Sequence, residues 1–599
     1  MKYDRIYAIR KGEYFADALK RAGKDFIPTN CIINKLLPGL GATHCELIAP
    51  RKSIIIEPNV PVIESKAKAH KNALAIYKGV TVRKVTDFLE ENRDKHYKLL
   101  TTPEGFTKIK AAMQATDIDM YTECFLLFDE CEKLVQDVHY RDSIREPMND
   151  FFHFQNKALI SATPIVPEKE NRFNGFMRVL IQPDYEYRQK LKLITTNNVL
   201  ETLQEVIETK RGTVCIFCNS IDSIDSFYRL IPALNNACTF CSEDGQYKLW
   251  KGNRRKKSMM ITELERYNFF TSRFYSAVDI ICKNPPHVIL ISDLHGATQS
   301  VIDPATEAIQ IIGRFRGGVN TVTHIASIRP DLECMSPHEI DCWLQGASGI
   351  FNGWKTQLAQ TTNIGERTLL QEAIGENSYL PYLDGDGKPD PFLIANLYEK
   401  EQVKRLYTSD VLLCNAYRQT DYFTFAHEER LMPVSDNERM AIQHRLAKKK
   451  RAELIVHKLE EMEKMSKVTD KKLQKRYQRM LENLLTTTND RYIYDCFCRF
   501  GAEFIRESDY NENKLRTALN VSSEHTIKQS GQMRTSIQRT FPIGSEFSIQ
   551  ETKSMLKQVY KKMGLNTGRG ITTKELEQYV EVEKGWKHDN RVIKILKFK

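Results

Sequence analysis

The chain has no uninterrupted apolar run of about 18 residues, the length that a membrane-spanning helix needs. Its first 25 residues, MKYDRIYAIRKGEYFADALKRAGKD, are charged throughout and contain no apolar signal-peptide core. The sequence also has no internal repeat and no low-complexity tract. We therefore expect a cytoplasmic protein without a membrane partner.

A chain of 599 residues is too long for one hydrophobic core, and ordinary domain sizes predict about three to five domains. Hydrophobic residues make up 41% and charged residues 28%, as is usual for globular proteins. The net charge of +11 is mild, but residues 437–485 hold 14 Lys and Arg against 7 Asp and Glu. This basic stretch is either a solvated helix face or a surface for a polyanion.

Fourteen cysteines in a cytosolic chain favour reduced thiols over disulfides. Four of them have the spacing of a zinc ribbon: Cys215, Cys218, Cys238 and Cys241. However, TVCIFCNS is typical of a buried strand, on which residues three apart point to opposite faces. We expect small core residues here rather than zinc ligands.

Two stretches of the chain alternate short apolar runs with helix-like segments, the pattern of a parallel sheet wrapped by helices. In the first stretch the predicted strands are SIIIEP, KLLTTP, CFLLFDE and ALISATP. In the second they are TVCIFCNS, ACTFCS, FFTSRF, HVILIS and THIASI. The predicted fold class is therefore α/β, with two tandem parallel-sheet lobes at residues 1–170 and 171–330.

Beyond Pro330 the strand pattern disappears, and we predict a helical domain at 331–436. The basic stretch predicts a helical hairpin at about 437–467 and 470–485, within a hairpin-and-linker region that ends at 535, because apolar residues recur there at 4-3 spacing. Residues 536–599 read as helix, turn, helix and β-hairpin. That order suggests a winged-helix-like domain.

The segment LLFDECEKL has two adjacent acids at the end of an apolar run. A nucleotide-bound Mg²⁺ needs a carboxylate held rigidly at a strand end, and hydrolysis needs a second one to orient the attacking water. Asp129 fits the first role and Glu130 the second. The alternative is that the acids only mark the start of a helix.

Two other segments of the first lobe are candidates for the same site. A glycine-containing loop before a predicted helix comprises Gly39, Leu40, Gly41, Ala42 and Thr43. Such loops place backbone N–H groups around phosphates, and the threonine could reach the Mg²⁺. A strand ends about 30 residues after the acidic pair in Ser161, Ala162 and Thr163. Their hydroxyl groups could bond across to the acidic strand end.

The second lobe contains EAIQIIGRFRGG, with Gln310, Gly313, Arg314 and Arg316. Arginines are the preferred donors to a γ-phosphate as its charge spreads in the transition state. Ahead of this segment, Thr271 and Ser272 end a predicted strand and are followed by Asp279. That pattern suits contact with a nucleic-acid backbone.

The patterns D-E-x-E, S-A-T and Q-x-x-G-R-x-R, in this order, resemble motifs II, III and VI of superfamily 2 (DEAD/DEAH-like) helicases. Pro58 resembles motif Ia, the segment 101–104 motif Ib, CIFCNS motif IV and FFTSRFYSAVD motif V. The likeness covers about residues 25–330. It implies two RecA-like lobes that hydrolyse ATP with Mg²⁺ and move along nucleic acid.

By the same resemblance, Asp129 and Thr43 would hold the metal, and residues 161–163 would couple the lobes. The catalytic set would be Asp129, Glu130, Gln310, Arg314 and Arg316. The nucleic-acid contacts would be Pro58, Thr102, Pro103, Glu104, Thr271 and Ser272.

The chain departs from the family at its P-loop, G-x-x-x-x-G-K-[ST]. Leu36 replaces the first glycine, and Ala42 occupies the position of the phosphate-binding lysine. We expect Lys35 to substitute for that lysine, with His44 as a weaker candidate. The alternative is a solvated Lys35 and a weakened site. Arg316 also follows Arg314 by two residues instead of three.

The favoured function is an ATP-dependent helicase, a hydrolase acting on DNA in replication or recombination. The motif spelling resembles the replication helicases of large tailed phages, which implies a bacterial host cytoplasm and other replication proteins as partners. Two alternatives stay open. One is a double-strand translocase that does not unwind, and the other is a non-hydrolysing nucleic-acid-binding scaffold.

Overall fold

The structure is a computed structural model that describes the chain except residues 1–2, 251–255, 262, 277, 433, 441–446, 467–476, 479–484, 486–489, 566, 569 and 588–589. The chain forms two compact units, residues 1–432 and residues 433–599. The division lies close to the predicted start of the basic region at 437.

The first lobe of the larger unit is built on a parallel sheet with eight strands in the described residues. In chain order they are β1 Arg5–Ile9, β2 Cys31–Asn34, β3 Ser53–Ile56, β4 Ala73–Ile76, β5 Lys98–Thr101, β6 Phe125–Asp129, β7 Asn156–Ser161 and β8 Met177–Pro183. Their order across the sheet is β1-β8-β2-β7-β6-β3-β5-β4. β8 lies beyond the predicted lobe boundary at 170, because it pairs with both β1 and β2.

The second lobe is built on another parallel sheet, also with eight described strands. These are β9 Gln189–Thr196, β10 Val214–Cys218, β11 Cys238–Phe240, β12 Lys256–Ser258, β13 Tyr267–Phe270, β14 His287–Ser292, β15 Thr321–Ser327 and β16 Phe423–Arg430. Their order is β12-β11-β13-β10-β14-β15-β9-β16. The predicted fold class, two parallel-sheet α/β lobes in tandem, is confirmed.

Central strands such as β3, β6, β10 and β14 are short, largely apolar runs that are buried along their whole length. Along β3, Ile54 and Ile56 pack into one core cluster and Ile55 into the cluster on the other face. The register aligns the carboxyl ends of the central strands: Asn34 pairs with Ser161, and Asp129 pairs with Ile160. Residues that follow these strands therefore meet at one edge of the sheet.

The helices of the first lobe are Phe15–Arg21, Ala42–Ile48, Val60–Lys68, Val82–Glu91, Phe106–Ala115, Met120–Glu123, Lys133–Gln136 and Glu146–Phe151. Those of the second lobe are Val199–Glu208, Ile221–Leu230, Glu243–Trp250 and Glu307–Gly313. Four more lie between β15 and β16: Pro337–Gln360, Ile364–Gly375, Pro391–Leu406 and Asp410–Gln419.

The helical domain predicted at 331–436 remains a prediction, and nearly all of it lies in the larger unit, residues 1–432. Helix Pro391–Leu406 has Phe392 and Leu393 in the core of the first lobe, while Leu406 packs against the core of the second. β16 adds an edge strand to the second sheet beside β9. The region thus contacts both lobes, and it also has a core cluster of its own that includes Ile340, Phe351 and Leu397.

The four cysteines with zinc-ribbon spacing are buried, as the strand pattern predicts. Cys215 and Cys218 belong to core clusters on opposite faces of β10. Across the described residues, no group of three or more His, Cys, Asp or Glu is placed to hold a metal ion.

The smaller unit has its own helices: Asp436–Met440, Lys448–Ser466, Arg491–Glu507, Glu512–Gln529, Gly531–Thr540, Ile549–Lys562 and Thr573–Leu576. Helices Lys448–Ser466 and Arg491–Glu507 share a core around Ile455, Leu459 and Ile493. The second arm of the predicted hairpin, 470–485, lies almost entirely outside the described residues.

The end of the smaller unit is a three-stranded antiparallel sheet packed on helices. Its strands are β17 Glu546–Ser548, β18 Val580–Lys587 and β19 Asn590–Phe598, in the order β17-β19-β18. Their shared core with helix Ile549–Lys562 includes Leu556, Tyr560 and Ile593. The winged-helix-like interpretation of this end remains a prediction.

None of the helices that the structure describes combines the length and the apolar character that a membrane span requires.

Candidate active site

A cavity of about 450 Å³ opens between the carboxyl ends of the first lobe's strands and the second lobe. The first lobe contributes the segments that follow β2, β3 and β6, and the second contributes residues 278–279, 314 and 316. Open α/β sheets bind ligands at such strand ends. The cavity has four cationic and four carboxylate side chains: Lys35, Lys66, Arg314, Arg316, Glu57, Asp129, Glu130 and Asp279.

The predicted phosphate loop forms part of the cavity wall. Gly39 and Gly41 have positive φ angles of 82° and 79°, which glycine adopts without strain. A side chain at Gly39 has no room, because a Cβ atom there would lie 1.6 Å from Nη1 of Arg316. A Cβ atom at Gly313 would lie 2.3 Å from the ring of Pro38. The two lobes therefore meet closely at this loop, and glycine on each side permits the approach.

Asp129 is the last residue of β6, and its carboxylate accepts hydrogen bonds from the Thr43 hydroxyl and the Lys35 ammonium, the latter at 3.2 Å. The side chains of Lys35 and Asp129 are only 8% and 6% exposed. Burial opposes the charge on Asp129, but Lys35 and Lys66 outweigh it and lower its pKa to about 2. Burial also opposes the charge on Lys35, yet Asp129 and Glu130 raise its pKa. Both members of the pair are charged.

A second lysine, which the sequence interpretation missed, reaches the same place. Lys66 donates to the Thr43 hydroxyl at 2.9 Å and to Glu57 at 2.6 Å. Glu57 directly follows β3, so its position after an apolar run was a usable signal. No pattern marked Lys66, which lies on helix Val60–Lys68. His44 also lines the cavity, but its side chain is exposed.

Glu130 adopts a left-handed backbone conformation with φ 54°, unusual for a residue with a side chain. Its carboxylate lies 3.7 Å from the Arg314 guanidinium. Burial would raise its pKa, but Arg314 and Lys35 outweigh burial and lower it. Burial and the charge of Glu130 raise the pKa of Glu132 well above its usual range. Glu132 is therefore the more easily protonated of the two carboxyl groups, and Glu130 the more readily ionised.

Contacts from the second lobe complete this side of the cavity. Gln310 donates to Glu132 and to Thr163, both at 3.1 Å. Its side-chain oxygen accepts from Arg314 at 2.8 Å, and Arg314 is only 3% exposed. One glutamine thus joins the arginine of the second lobe to the acidic segment of the first.

The segment predicted to couple the lobes lies between these two groups. The Ser161 carbonyl accepts the backbone N–H of Lys35 at 2.7 Å, and the Ser161 hydroxyl accepts that of Thr163 at 3.0 Å. Ala162 is 4% exposed. Since Thr163 bonds to Gln310, this segment connects the start of the loop with the second lobe.

Arg316 differs from Arg314 in its surroundings. Its guanidinium pairs with Asp279 at 2.9 Å, and the side chains are 43% and 45% exposed. Arg316 nevertheless lies against the loop at Gly39. It can therefore approach a ligand held by that loop, although solvent screens its charge.

Most of the predicted nucleic-acid contacts are not presented to solvent. Arg141 donates to Glu104 at 2.6 Å and to the Pro58 carbonyl at 2.8 Å, and so joins the two segments. Burial opposes the charge on Glu104, but Arg141 outweighs it and lowers the pKa to about 2. Buried side chains among the predicted contacts are Pro58, Thr102, Pro103 and Thr271, while Ser272 is exposed. Arg141 was missed because its segment has no pattern of its own.

The residues present fit a nucleotide with Mg²⁺. Asp129 is ionised and hydrogen-bonded to Thr43, so a carboxylate and a hydroxyl are held together at the cavity. Burial opposes the charge on Glu130, but Arg314 and Lys35 lower its pKa, so a second carboxylate is available beside Asp129.

No protein-family model matches the chain, and no curated protein matches it. Among solved structures, it is similar to S. cerevisiae Dbp5 bound to RNA and ADP BeF3, at 12% identity over 50% of this chain and 80% of that chain, with a TM-score of 0.34. It is also similar to the Pyrococcus furiosus Hef helicase domain, at 11% identity over 50% and 92%, with a TM-score of 0.30. These TM-scores are too low to carry a functional conclusion.

Proposed function

We propose that the chain hydrolyses ATP between its two lobes and uses the hydrolysis to move along nucleic acid, as a helicase or translocase. The observation that supports this best is the approach of Arg314 to Glu130 across the lobes, with Gln310 joining Arg314 to the nearby Glu132. Phosphoryl transfer depends mainly on positioning and on cations near the transferred group. The cavity holds a carboxylate, a buried arginine and a glycine loop in one place.

Each residue has a separate task in this proposal. Glu130 stays ionised and orients the attacking water. Arg314, already charged and buried, stabilises the charge that develops on the transferred phosphoryl group. Mg²⁺ bound with the nucleotide would neutralise phosphate charge, and Asp129 and Thr43 would hold it. The loop at Gly39 would supply backbone N–H groups to the phosphates.

The same contacts suggest how hydrolysis could produce movement. Residues of both lobes line the cavity. Gln310 of the second lobe donates hydrogen bonds to Thr163 and Glu132 of the first. A change in phosphate charge at this boundary alters the attraction between lobes. Repeated closing and opening along a strand is the motion that the proposal requires.

The choice of DNA over RNA and the role in replication are further parts of this proposal. DNA over RNA rests on the helix-and-hairpin order of residues 536–599 and on motif spelling. A role in replication, with other replication proteins as partners, rests on motif spelling alone. The exposed Ser272 and the half-exposed Glu104 are the best placed of the predicted contacts to reach a strand.

The test is ATP turnover by the full chain, alone and with single-stranded DNA, duplex DNA or RNA. We expect turnover that one of the nucleic acids stimulates. Strand displacement on duplexes with 3′ or 5′ tails then separates an unwinding enzyme from a translocase. Binding of nucleic acid with no detectable ATP turnover would favour the scaffold instead.

A further inference from the structure

Lys66 is held at the edge of the phosphate loop by two hydrogen bonds. It lies in the last turn of helix Val60–Lys68, which is anchored by the fully buried Ile63. Its ammonium is 2.9 Å from the Thr43 hydroxyl and 2.6 Å from Glu57. Thr43 is the last residue of the loop, so the Lys66 ammonium lies at the end of the loop that would bind the phosphates.

The two lysines of the cavity differ in what their charge already does. Lys35 is 8% exposed and compensates Asp129, whose pKa of about 2 keeps it fully ionised. The Lys66 side chain is 30% exposed. Burial raises the pKa of its partner Glu57 to about 7, although Lys66 opposes that rise. The Lys66 ammonium is therefore the more accessible of the two lysines to a ligand in the cavity.

The hydrogen bonds of Lys66 also leave its ammonium able to bind a ligand. A lysine ammonium has three N–H donors, of which Glu57 and Thr43 take two. No third acceptor for this ammonium is found among the described residues, and Lys66 lines the cavity, so one donor remains for a ligand. Glu57 and Thr43 fix the ammonium in place, so less side-chain entropy is lost when a ligand binds.

We infer that Lys66 donates to the β- or γ-phosphate of the bound nucleotide, so that Lys66 and Lys35 share the work of one P-loop lysine. Lys35 holds Asp129 in its ionised form, and Lys66 supplies the phosphate contact from outside the loop. This inference rests on the proposed function, since it requires a nucleotide in the cavity.

The test compares the affinities of the full chain for ATP, ADP and AMP by calorimetry or competition, before any turnover is measured. We expect Lys66→Ala to weaken ATP binding about 10- to 100-fold, because a hydrogen bond from a charged donor is lost. AMP has only an α-phosphate, so its affinity should change little. Lys66→Arg should restore part of the ATP affinity.

Two controls separate phosphate contact from support of the fold. Lys68→Ala removes an exposed lysine from the same helix and should bind all three nucleotides like wild type. Glu57→Gln keeps the hydrogen-bond acceptor that holds Lys66 and removes only its charge, so any loss of ATP affinity should be smaller than that of Lys66→Ala. Thermal unfolding of each variant checks the fold.

The outcomes distinguish this inference from the proposed function. Wild type that binds none of the nucleotides overturns both. Wild type that binds ATP while Lys66→Ala binds it equally well overturns only the role of Lys66. Two other results would show that Lys66 and Glu57 only support the structure of the loop, and they would likewise overturn the phosphate contact of Lys66. One is an equal loss of affinity for ATP and AMP in Lys66→Ala. The other is a loss of ATP affinity in Glu57→Gln as large as that in Lys66→Ala.

Discussion

The cavity of the larger unit and the basic helix of the smaller unit both concentrate charge, but they place it differently. At the cavity, Lys35 and Asp129 are 8% and 6% exposed. On helix Lys448–Ser466, Lys449 and its partner Asp509 are 55% and 74% exposed. Two unit charges 4 Å apart interact by about 1 kcal/mol in water and about 4 kcal/mol at an effective dielectric constant of 20. We therefore expect the buried charges of the cavity to affect function more strongly than the exposed charges of this helix.

The largest effect should come from Glu130→Gln. Glutamine keeps the size of the side chain but loses the charge that orients water, so turnover of ATP should fall by orders of magnitude while ATP still binds. Turnover and nucleotide affinity are measured on the same preparation. Glu91→Gln, at an exposed position, serves as the control. Unchanged turnover in Glu130→Gln removes the catalytic assignment of Glu130.

Arg314 and Arg316 allow a buried and an exposed charge to be compared within one segment of the chain. Arg314→Ala should lower the turnover number by about 10³-fold or more, because a buried cation beside Glu130 is lost. Arg316→Ala should cost about tenfold or less, since its pair with Asp279 is solvent-screened. Single-turnover rates at saturating ATP provide the measurement. Equal losses in the two variants would show that exposure does not rank these residues.

Lys35→Ala should have an intermediate effect. It leaves Asp129 with Thr43 and Lys66 as partners, so we expect ATP affinity and turnover to fall about 10- to 100-fold. Lys20→Ala, an exposed lysine of the same lobe, is the matched control. Thermal unfolding shows whether the lobe remains folded. Normal turnover in folded Lys35→Ala would leave Lys66 as the main cation of the first lobe.

Much of the cavity was predictable because strand ends are visible in sequence. Apolar runs that end in polar residues marked β6 and β7, and parallel pairing brings such ends together. Asp129, Glu130 and Ser161 could be placed at one edge in this way. The glycines at 39 and 41 were visible for the same reason, since loops between a strand and a helix have a characteristic composition.

The parts that escaped prediction depend on contacts distant in sequence. Lys66 meets Thr43 across 23 positions, and Arg141 meets Pro58 across 83. Helix Pro391–Leu406 joins two cores whose residues are far away along the chain. The loss of the strand pattern beyond Pro330 indicated helices in this region, but it carries no information about which surface a helix covers.

The basic helix should show the smallest effect, because most of its charges already have partners. Lys448 pairs with Glu512 at 3.3 Å, Lys449 with Asp509 at 2.6 Å, and Arg451 donates to Asp490 at 3.2 Å. Lys450 is exposed, and the structure gives it no partner among the described residues. Neutralising all four to glutamine should therefore change DNA binding little more than neutralising Lys450 alone.

The measurement is the slope of log affinity for DNA against log salt concentration. Each phosphate neutralised by the protein contributes about 0.9 to that slope on duplex DNA and about 0.7 on single strands. We expect the quadruple variant to flatten the slope by no more than about one, and Lys450→Gln to flatten it equally. If the slope of the quadruple variant decreases by three or more, the acidic partners of these lysines and of Arg451 must release them to bind phosphates. In that case the helix would track the nucleic-acid backbone, and exposed charges would matter to this protein as much as buried ones do.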